Sequence, residues 1–247
     1  MGFAGKTVWI IGASEGIGAA LARALSQEGA RLILSARNRA ALELLAAGCH
    51  KAQVLPLDLA APGGLADVVA GLEPGSLDVV ICTAALYDPG RVSDLDPESI
   101  ARLVAVNLLG SFEVARLVPP LLRDGGQLVL FGSVAGYFGL PGGQPYSATK
   151  AAVNNLAETL RTELAPRVDV RLVCPGFVAT RLTAKNTFAM PAIITPEQAA
   201  REVIRGLKGR AFEIHFPKRF TWAIKCLRAL PYAVSLRLTA RLRPGDR

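Results

Sequence analysis

Short apolar runs recur along the chain, separated by longer segments rich in alanine and leucine. The runs consist almost entirely of Val, Ile and Leu and do not alternate with polar residues, which is typical of strands covered by helices on both sheet faces. Seven strands that alternate with helical segments indicate a mostly parallel sheet in a three-layer α/β sandwich. The predicted strands are Thr7–Ile11, Arg31–Ser35, Gln53–Leu57, Asp78–Cys82, Gln127–Phe131, Asp169–Cys174 and Phe212–Phe216.

The composition gives no sign of a boundary between two domains. Its 247 residues are 51% hydrophobic, which is enough to bury one continuous core. No internal repeat, low-complexity tract or linker interrupts the pattern, so we expect a single domain over residues 1–247.

Charge and cysteine usage narrow the class of protein. The net charge is +8, but much of the excess lies after residue 217, and we expect no nucleic-acid partner. The four cysteines are far apart and form no CxxC pair. The sequence shows neither an export leader nor a membrane span, so we expect a reduced, cytoplasmic protein.

A glycine-rich loop joins the first predicted strand to an Ala/Leu-rich helix, which is the context of a dinucleotide-binding loop. Glycines let the backbone approach a pyrophosphate closely, and the helix that follows offers free N–H groups to the anion. The loop indicates a Rossmann-type sandwich. The residues predicted to hold the nucleotide are Gly12, Ser14, Glu15, Gly16, Ile17 and Gly18.

The end of the second predicted strand favours NADP(H). An NAD site usually carries an acidic residue about 20 positions past the glycines. Here Arg37 and Arg39 occupy that stretch and can bind a 2′-phosphate. NAD(H) stays as the alternative, since Glu15 adds negative charge near the phosphates. Asp58, after the third strand, is predicted to accept from the adenine amino group, or alternatively to form a turn or helix cap.

The chemistry is predicted at Tyr146 and Lys150, with Ser133 thirteen residues before the tyrosine. Tyr and Lys four residues apart lie on one helix face, so the ammonium can stabilise the phenolate and lower a pKa that is normally about 10. Tyr146 is therefore the candidate general acid/base. Ser133 ends an apolar strand, where its hydroxyl can donate to a developing oxyanion.

With these motifs the chain resembles the short-chain dehydrogenase/reductase family over roughly residues 6–215. The resemblance implies that Lys150 also binds the nicotinamide ribose and that Asn107 supports a proton relay through water. It implies cofactor contacts by Pro175, Gly176 and Thr180, and a homodimer or homotetramer. The motifs that carry it are Gly12-xxx-Gly16-Ile17-Gly18, Asn107, Ser133, Tyr146-xxx-Lys150 and Pro175-Gly176.

Two positions depart from the family pattern. Ile11 replaces the usual threonine, and Cys82-Thr83-Ala84-Ala85 stands where Asn-Asn-Ala-Gly is common. The missing amides predict fewer hydrogen bonds bracing the fourth strand and an altered cofactor affinity.

Apolar side chains follow Ser133 and Thr180. They predict an apolar pocket for a small carbonyl or alcohol substrate, or alternatively a packed lid or an oligomer contact. The residues concerned are Val134, Tyr137, Phe138, Leu182, Phe188 and Met190.

The C-terminal segment, residues 218–243, predicts a basic amphipathic helix. Such a helix can lie on an anionic membrane surface. The alternative, commoner in globular proteins, is packing against the domain or a partner subunit. His50 and His215 are isolated, so we expect no metal site.

The sequence thus favours an NADP(H)-dependent enzyme that interconverts a ketone and a secondary alcohol, with an apolar or lipid-like carbonyl compound as its substrate. Two other classes stay open: a noncatalytic NADP(H)-binding sensor or scaffold, and a membrane-peripheral protein that acts through its basic tail.

Overall fold

The computed structural model describes residues 2–242. All seven predicted strands are present, and they form one parallel sheet in the order β3-β2-β1-β4-β5-β6-β7. The third strand is shorter than predicted, and the fifth begins five residues earlier than predicted. The strands are β1 (Thr7–Ile11), β2 (Arg31–Ser35), β3 (Ala52–Val54), β4 (Leu77–Cys82), β5 (Leu122–Phe131), β6 (Val168–Pro175) and β7 (Glu213–Phe216).

Helices cover both faces of the sheet and confirm the three-layer α/β prediction. On one face Leu21 and Val203 are fully buried, and on the other Val114 and Val153 are buried. The helices are α1 (Gly16–Gln27), α2 (Arg39–Ala47), α3 (Gly64–Ala70), α4 (Pro97–Val104), α5 (Gly110–Leu117), α6 (Tyr146–Glu163), α7 (Pro196–Lys208), α8 (Lys218–Ala229) and α9 (Tyr232–Ala240).

The strand order reverses at β1, which lies between β2 and β4. In open α/β sheets, ligands bind at the carboxyl ends of the strands beside such a reversal. The glycine loop follows β1, Ser133 follows β5, and Gly176 follows β6. The fold therefore brings the predicted cofactor and reaction residues to one edge of the sheet.

A π-helical turn, Ala105–Leu109, separates α4 from α5 and contains Asn107. Such turns are rare and often occur at functional sites, because the extra residue changes which backbone groups are paired. Here the turn places a buried amide next to the start of α6.

The predicted single C-terminal helix is wrong in one respect: the segment forms two helices. The break falls at Leu230 and Pro231, since proline lacks an N–H and restricts the residue before it. Arg243, at the end of the predicted helix, lies outside the described residues. None of the helices in the described part of the chain has the length and apolar character needed to cross a membrane.

Candidate active site

Tyr146 is the first residue of α6, and Lys150 lies one turn further along the same helix. Ser133 comes two residues after the end of β5, and a hydrogen bond with Ser133 lowers the pKa of Tyr146. The structure thus brings together the three residues predicted to carry the reaction.

The turn that carries Ser133 is fixed by close packing on Asn154 of α6, which the sequence did not reveal. The Ser133 Oγ accepts a hydrogen bond from the Ala135 N–H at 3.1 Å. A Cβ at Gly132 would overlap the Asn154 side chain, and one at Gly136 would lie 2.7 Å from its Nδ2. Both glycines are required for this approach.

Lys150 is buried, and its ammonium donates to the Phe131 carbonyl oxygen at 2.6 Å. Its Nζ lies 5.7 Å from the centroid of the Tyr146 ring. Burial lowers the pKa of Lys150 to about 8. The Lys150 ammonium thus lies over the face of the Tyr146 ring and donates its hydrogen bond to the Phe131 carbonyl.

The sequence predicted a lowered pKa for Tyr146, and in this arrangement that prediction is wrong. Burial raises its pKa to about 12, and the hydrogen bond with Ser133 opposes that rise only in part. The spacing on the helix was predicted correctly, but desolvation of the phenol outweighs the hydrogen bond with Ser133.

Asn107 is buried and uses its amide as a brace. Its Oδ1 accepts from the Leu86 N–H at 2.7 Å, and its Nδ2 donates to the Leu86 carbonyl at 2.9 Å. The same Nδ2 donates to the Thr149 Oγ1 at 3.3 Å. Asn107 therefore connects the segment after β4 to α6, beside Lys150.

The glycine loop packs tightly on the segment after β4. A Cβ at Gly12 would lie 2.5 Å from the Ala84 nitrogen, and one at Gly18 would overlap the Gly12 carbonyl. The Thr83 hydroxyl lies 3.1 Å from the Ile11 carbonyl and 3.0 Å from the Gly12 carbonyl. The absence of the two asparagines predicted fewer hydrogen bonds here. The Thr83 hydroxyl supplies such bonds to the end of β1 and the glycine loop.

The start of α1 faces the loop that follows β6. Glu15 is the N-cap residue but caps no backbone N–H, because its carboxylate pairs with Arg181. A Cβ at Gly16 would lie 3.2 Å from the Thr180 Cγ2, so the two loops are in near contact. Ser14 is partly exposed, and Ile17 packs against the core.

The residues predicted for the adenosine half lie at the ends of β2 and β3. Arg37 is exposed, and its side chain forms no hydrogen bond or ion pair within residues 2–242. Arg39 pairs with Glu43 at 3.5 Å. The Asp58 Oδ1 accepts from the Ala60 N–H at 2.9 Å, which is the turn-forming alternative.

Comparison with known proteins decides the family. The family described as short chain dehydrogenase matches residues 6–190. The chain belongs to this family.

Relatives of this short-chain dehydrogenase are similar over most of their length. The chain is 31% identical to the ketoacyl reductase HetN of Nostoc sp., over 85% of the chain and 78% of the relative. It is 32% identical to the D-beta-hydroxybutyrate dehydrogenase of Rhizobium meliloti, over 83% of the chain and 84% of the relative. The crystal structure of a short chain dehydrogenase from Burkholderia cenocepacia in complex with NADP has a TM-score of 0.85 and 28% identity, covering 98% of this chain and 99% of that one.

Tyr87 is a residue of this short-chain dehydrogenase's site that the sequence analysis missed. Its ring meets the Tyr146 ring edge to face, with centroids 5.0 Å apart. Its hydroxyl donates to the Asn186 Oδ1 at 2.6 Å. The signal was available in part, because Tyr87 follows β4 as Ser133 follows β5. Its partner 99 positions away was not predictable.

The apolar residues predicted for the substrate side divide into two groups. Val134 and Tyr137 are buried, and the Tyr137 hydroxyl donates to Glu213. Phe188 is exposed and meets the ring of Phe177 edge to face at 5.8 Å. The others, which are partly exposed, are Phe138, Leu182 and Met190.

Proposed function

We propose that this short-chain dehydrogenase is an NADP(H)-dependent oxidoreductase that interconverts a ketone and a secondary alcohol on an apolar small molecule. The observation that carries the proposal is the meeting of Ser133, Tyr146 and Lys150 at the carboxyl edge of the sheet, beside the glycine loop.

The residues around the glycine loop fit a dinucleotide. The first N–H groups of α1 lack partners within the helix and point to the carboxyl edge of the sheet. A cavity of about 510 Å³ opens there, lined by Gly16, Thr180 and Met190 among others. Pro175 and Gly176 form the adjoining end of β6. When bound, NADP(H) supplies or takes up the hydride.

Tyr146 moves the proton. Since its pKa is about 12, the phenol is protonated at neutral pH and can donate to a carbonyl oxygen. The reverse direction requires the phenolate to accept a proton, and with NADPH as the cofactor we propose reduction as the main direction. Ser133 donates a hydrogen bond to the oxygen as negative charge develops on it, and the Lys150 ammonium stabilises the phenolate left on Tyr146.

Arg37 supports NADP(H) over NAD(H). It is exposed at the end of β2, where an acidic residue would accept from a ribose hydroxyl in an NAD enzyme. A guanidinium without a partner among residues 2–242 is suited to a 2′-phosphate. The apolar substrate class is supported by Tyr87, whose ring meets that of Tyr146, and by the pair of Phe177 and Phe188 after β6.

We place the enzyme in the cytoplasm as a homodimer or homotetramer. The free cysteines support a reducing compartment. Leu109 and Phe112 are exposed apolar residues on neighbouring helical turns, and a second copy of the chain would cover them.

The test is NADPH consumption with ketones of graded chain length, comparing the wild type with Tyr146→Phe. Turnover should fall at least about 100-fold in the variant, because general acid catalysis contributes that much or more. NADPH binding should be unchanged. Equal turnover by the variant would remove Tyr146 from the reaction. Tight NADPH binding with no turnover of any ketone would favour the noncatalytic sensor.

A further inference from the structure

The two C-terminal helices carry an excess of positive charge. Between Glu213 and Asp246 the sequence contains no acidic residue. The described part of that segment contains six cations, of which Lys225 pairs with Glu213. The remaining five are exposed: Lys218, Arg219, Arg228, Arg237 and Arg241.

Helix α9 rests on the protein through its polar residues and leaves its apolar residues uncovered. Ser235 and Thr239, one turn apart, are buried. Tyr232 is 75% exposed, Leu236 55% and Leu238 43%. Exposed apolar area on this scale is unfavourable in water. The helix is therefore in an arrangement that favours a further partner.

Helix α8 is anchored by Thr221, and its exposed side carries a tryptophan beside two cations. The Thr221 hydroxyl is buried and bonded to the His215 Nδ1 at 2.6 Å. Trp222, on the outer side, is 56% exposed next to the exposed Lys218 and Arg219. We call the exposed cationic and apolar side chains of α8 and α9 the C-terminal surface.

Charge decides which partner fits the C-terminal surface. A second copy of the chain that met it symmetrically would bring Arg237 and Arg241 towards their own copies, and neither α8 nor α9 contains a carboxylate that would offset the repulsion. An anionic bilayer offers an apolar interior to leucine side chains, an interface suited to tryptophan, and negative headgroups for arginine. We propose that the C-terminal surface binds peripherally to anionic membranes.

The C-terminal surface is connected to the predicted substrate side through aromatic side chains. Phe220 of α8 packs against Phe177 at 5.5 Å between ring centroids, and Phe177 contacts Phe188 on the substrate side. Helix α8 is thus joined through Phe220 and Phe177 to the loop proposed to contact the substrate. This step rests on the proposed function, but membrane binding itself does not.

The test is flotation of the full-length protein with vesicles of phosphatidylcholine alone and with added phosphatidylglycerol, without substrate or cofactor. We expect recovery with the anionic vesicles only, and release when salt is raised, because exposed charges are screened. Arg237→Glu/Arg241→Glu should weaken binding at least about tenfold, since each basic residue near the surface contributes about 1 kcal/mol.

The matched control is Lys51→Glu/Arg210→Glu, which changes the net charge equally. Both residues are exposed, and Lys51 precedes β3 as Arg210 precedes β7. They therefore lie at the amino ends of these strands, whereas α8 begins after the carboxyl end of β7. The control should bind like the wild type, and circular dichroism should show all three proteins folded. Equal loss in both variants would mean that only net charge matters and would overturn the proposal.

Two further outcomes would also overturn it. Failure of the wild type to float with anionic vesicles excludes the membrane. Concentration-dependent dimerisation that Tyr232→Ser/Leu236→Ser abolishes would assign the surface to a second copy. Because flotation is measured without turnover, an inactive enzyme that floats would refute the proposed reaction and leave the membrane surface intact.

Discussion

The Arg181 guanidinium and the Glu15 carboxylate pair at the edge of the cleft proposed to bind the nucleotide. The Arg181 Nη2 lies 2.6 Å from the Glu15 Oε1, and its Nε lies 2.8 Å from the Oε2. The pair connects the glycine loop to the loop after β6. It also neutralises the one carboxylate that stands at the start of α1, where phosphates would bind.

Arg181→Ala should therefore weaken NADPH binding. The change leaves Glu15 unpaired and negative beside an anionic ligand. We expect Kd to rise about two- to tenfold, because both groups are largely exposed and solvent screens them. Fluorescence titration with NADPH measures the Kd of the wild type and of the variant. In Glu15→Gln/Arg181→Ala the affinity should recover towards the wild-type value, and an unchanged Kd in the single variant would contradict this role.

Arg37→Ala should lower the affinity for NADPH and leave that for NADH unchanged. A hydrogen bond to a charged group contributes about 1.5–3 kcal/mol, so we expect a loss of roughly ten- to 100-fold. Isothermal titration with both cofactors gives the ratio. Arg39→Ala is the control, because Arg39 pairs with Glu43. Equal losses for NADPH and NADH in Arg37→Ala would refute the assignment.

The buried Lys150 makes the free energy of unfolding depend on pH. Its pKa is lowered from 10.5 to about 8, so between those values the folded protein binds fewer protons than the unfolded chain. Stability from this group therefore rises with pH in that window. The free energy of unfolding of the wild type, relative to Lys150→Met, should rise from pH 7 to pH 9 in urea titrations. A difference that falls over this range would contradict the lowered pKa.

Thr83→Val tests the brace under the glycine loop. The substitution keeps the shape but removes the hydroxyl near the Ile11 and Gly12 carbonyls. We expect a loss of about 1–2 kcal/mol in the free energy of unfolding and weaker NADPH binding. The control is Thr187→Val, at an exposed position. If both variants are equally stable, Thr83 is not a brace.

Local signals in the sequence predicted the sheet and the reaction residues. Unbroken apolar runs located the seven strands, and spacing alone placed Tyr146 and Lys150 on one helix face. The break at Pro231 was also signalled locally, although the segment was interpreted as one helix. In contrast, Glu15 and Arg181 are 166 positions apart, and no local pattern indicates such a contact.

Desolvation was equally hidden from the sequence. The pKa of Tyr146 depends on how completely the fold removes water from the phenol, which spacing along a helix does not report. Asn154 was missed for a related reason. Its importance comes from Gly132 and Gly136, which pack on it only because β5 and α6 are neighbours in the folded protein.

The packing of Phe220 makes the end of the chain part of the enzyme's architecture. A Cβ at Gly176 would lie 2.9 Å from the Phe220 ring, so the end of β6 is shaped to receive α8. A chain that stopped after β7 would lose the ring that packs on Phe177 and on Gly176. Shortened forms should therefore be altered at the carboxyl edge of the sheet, and substitutions in α8 should be felt in the loop after β6.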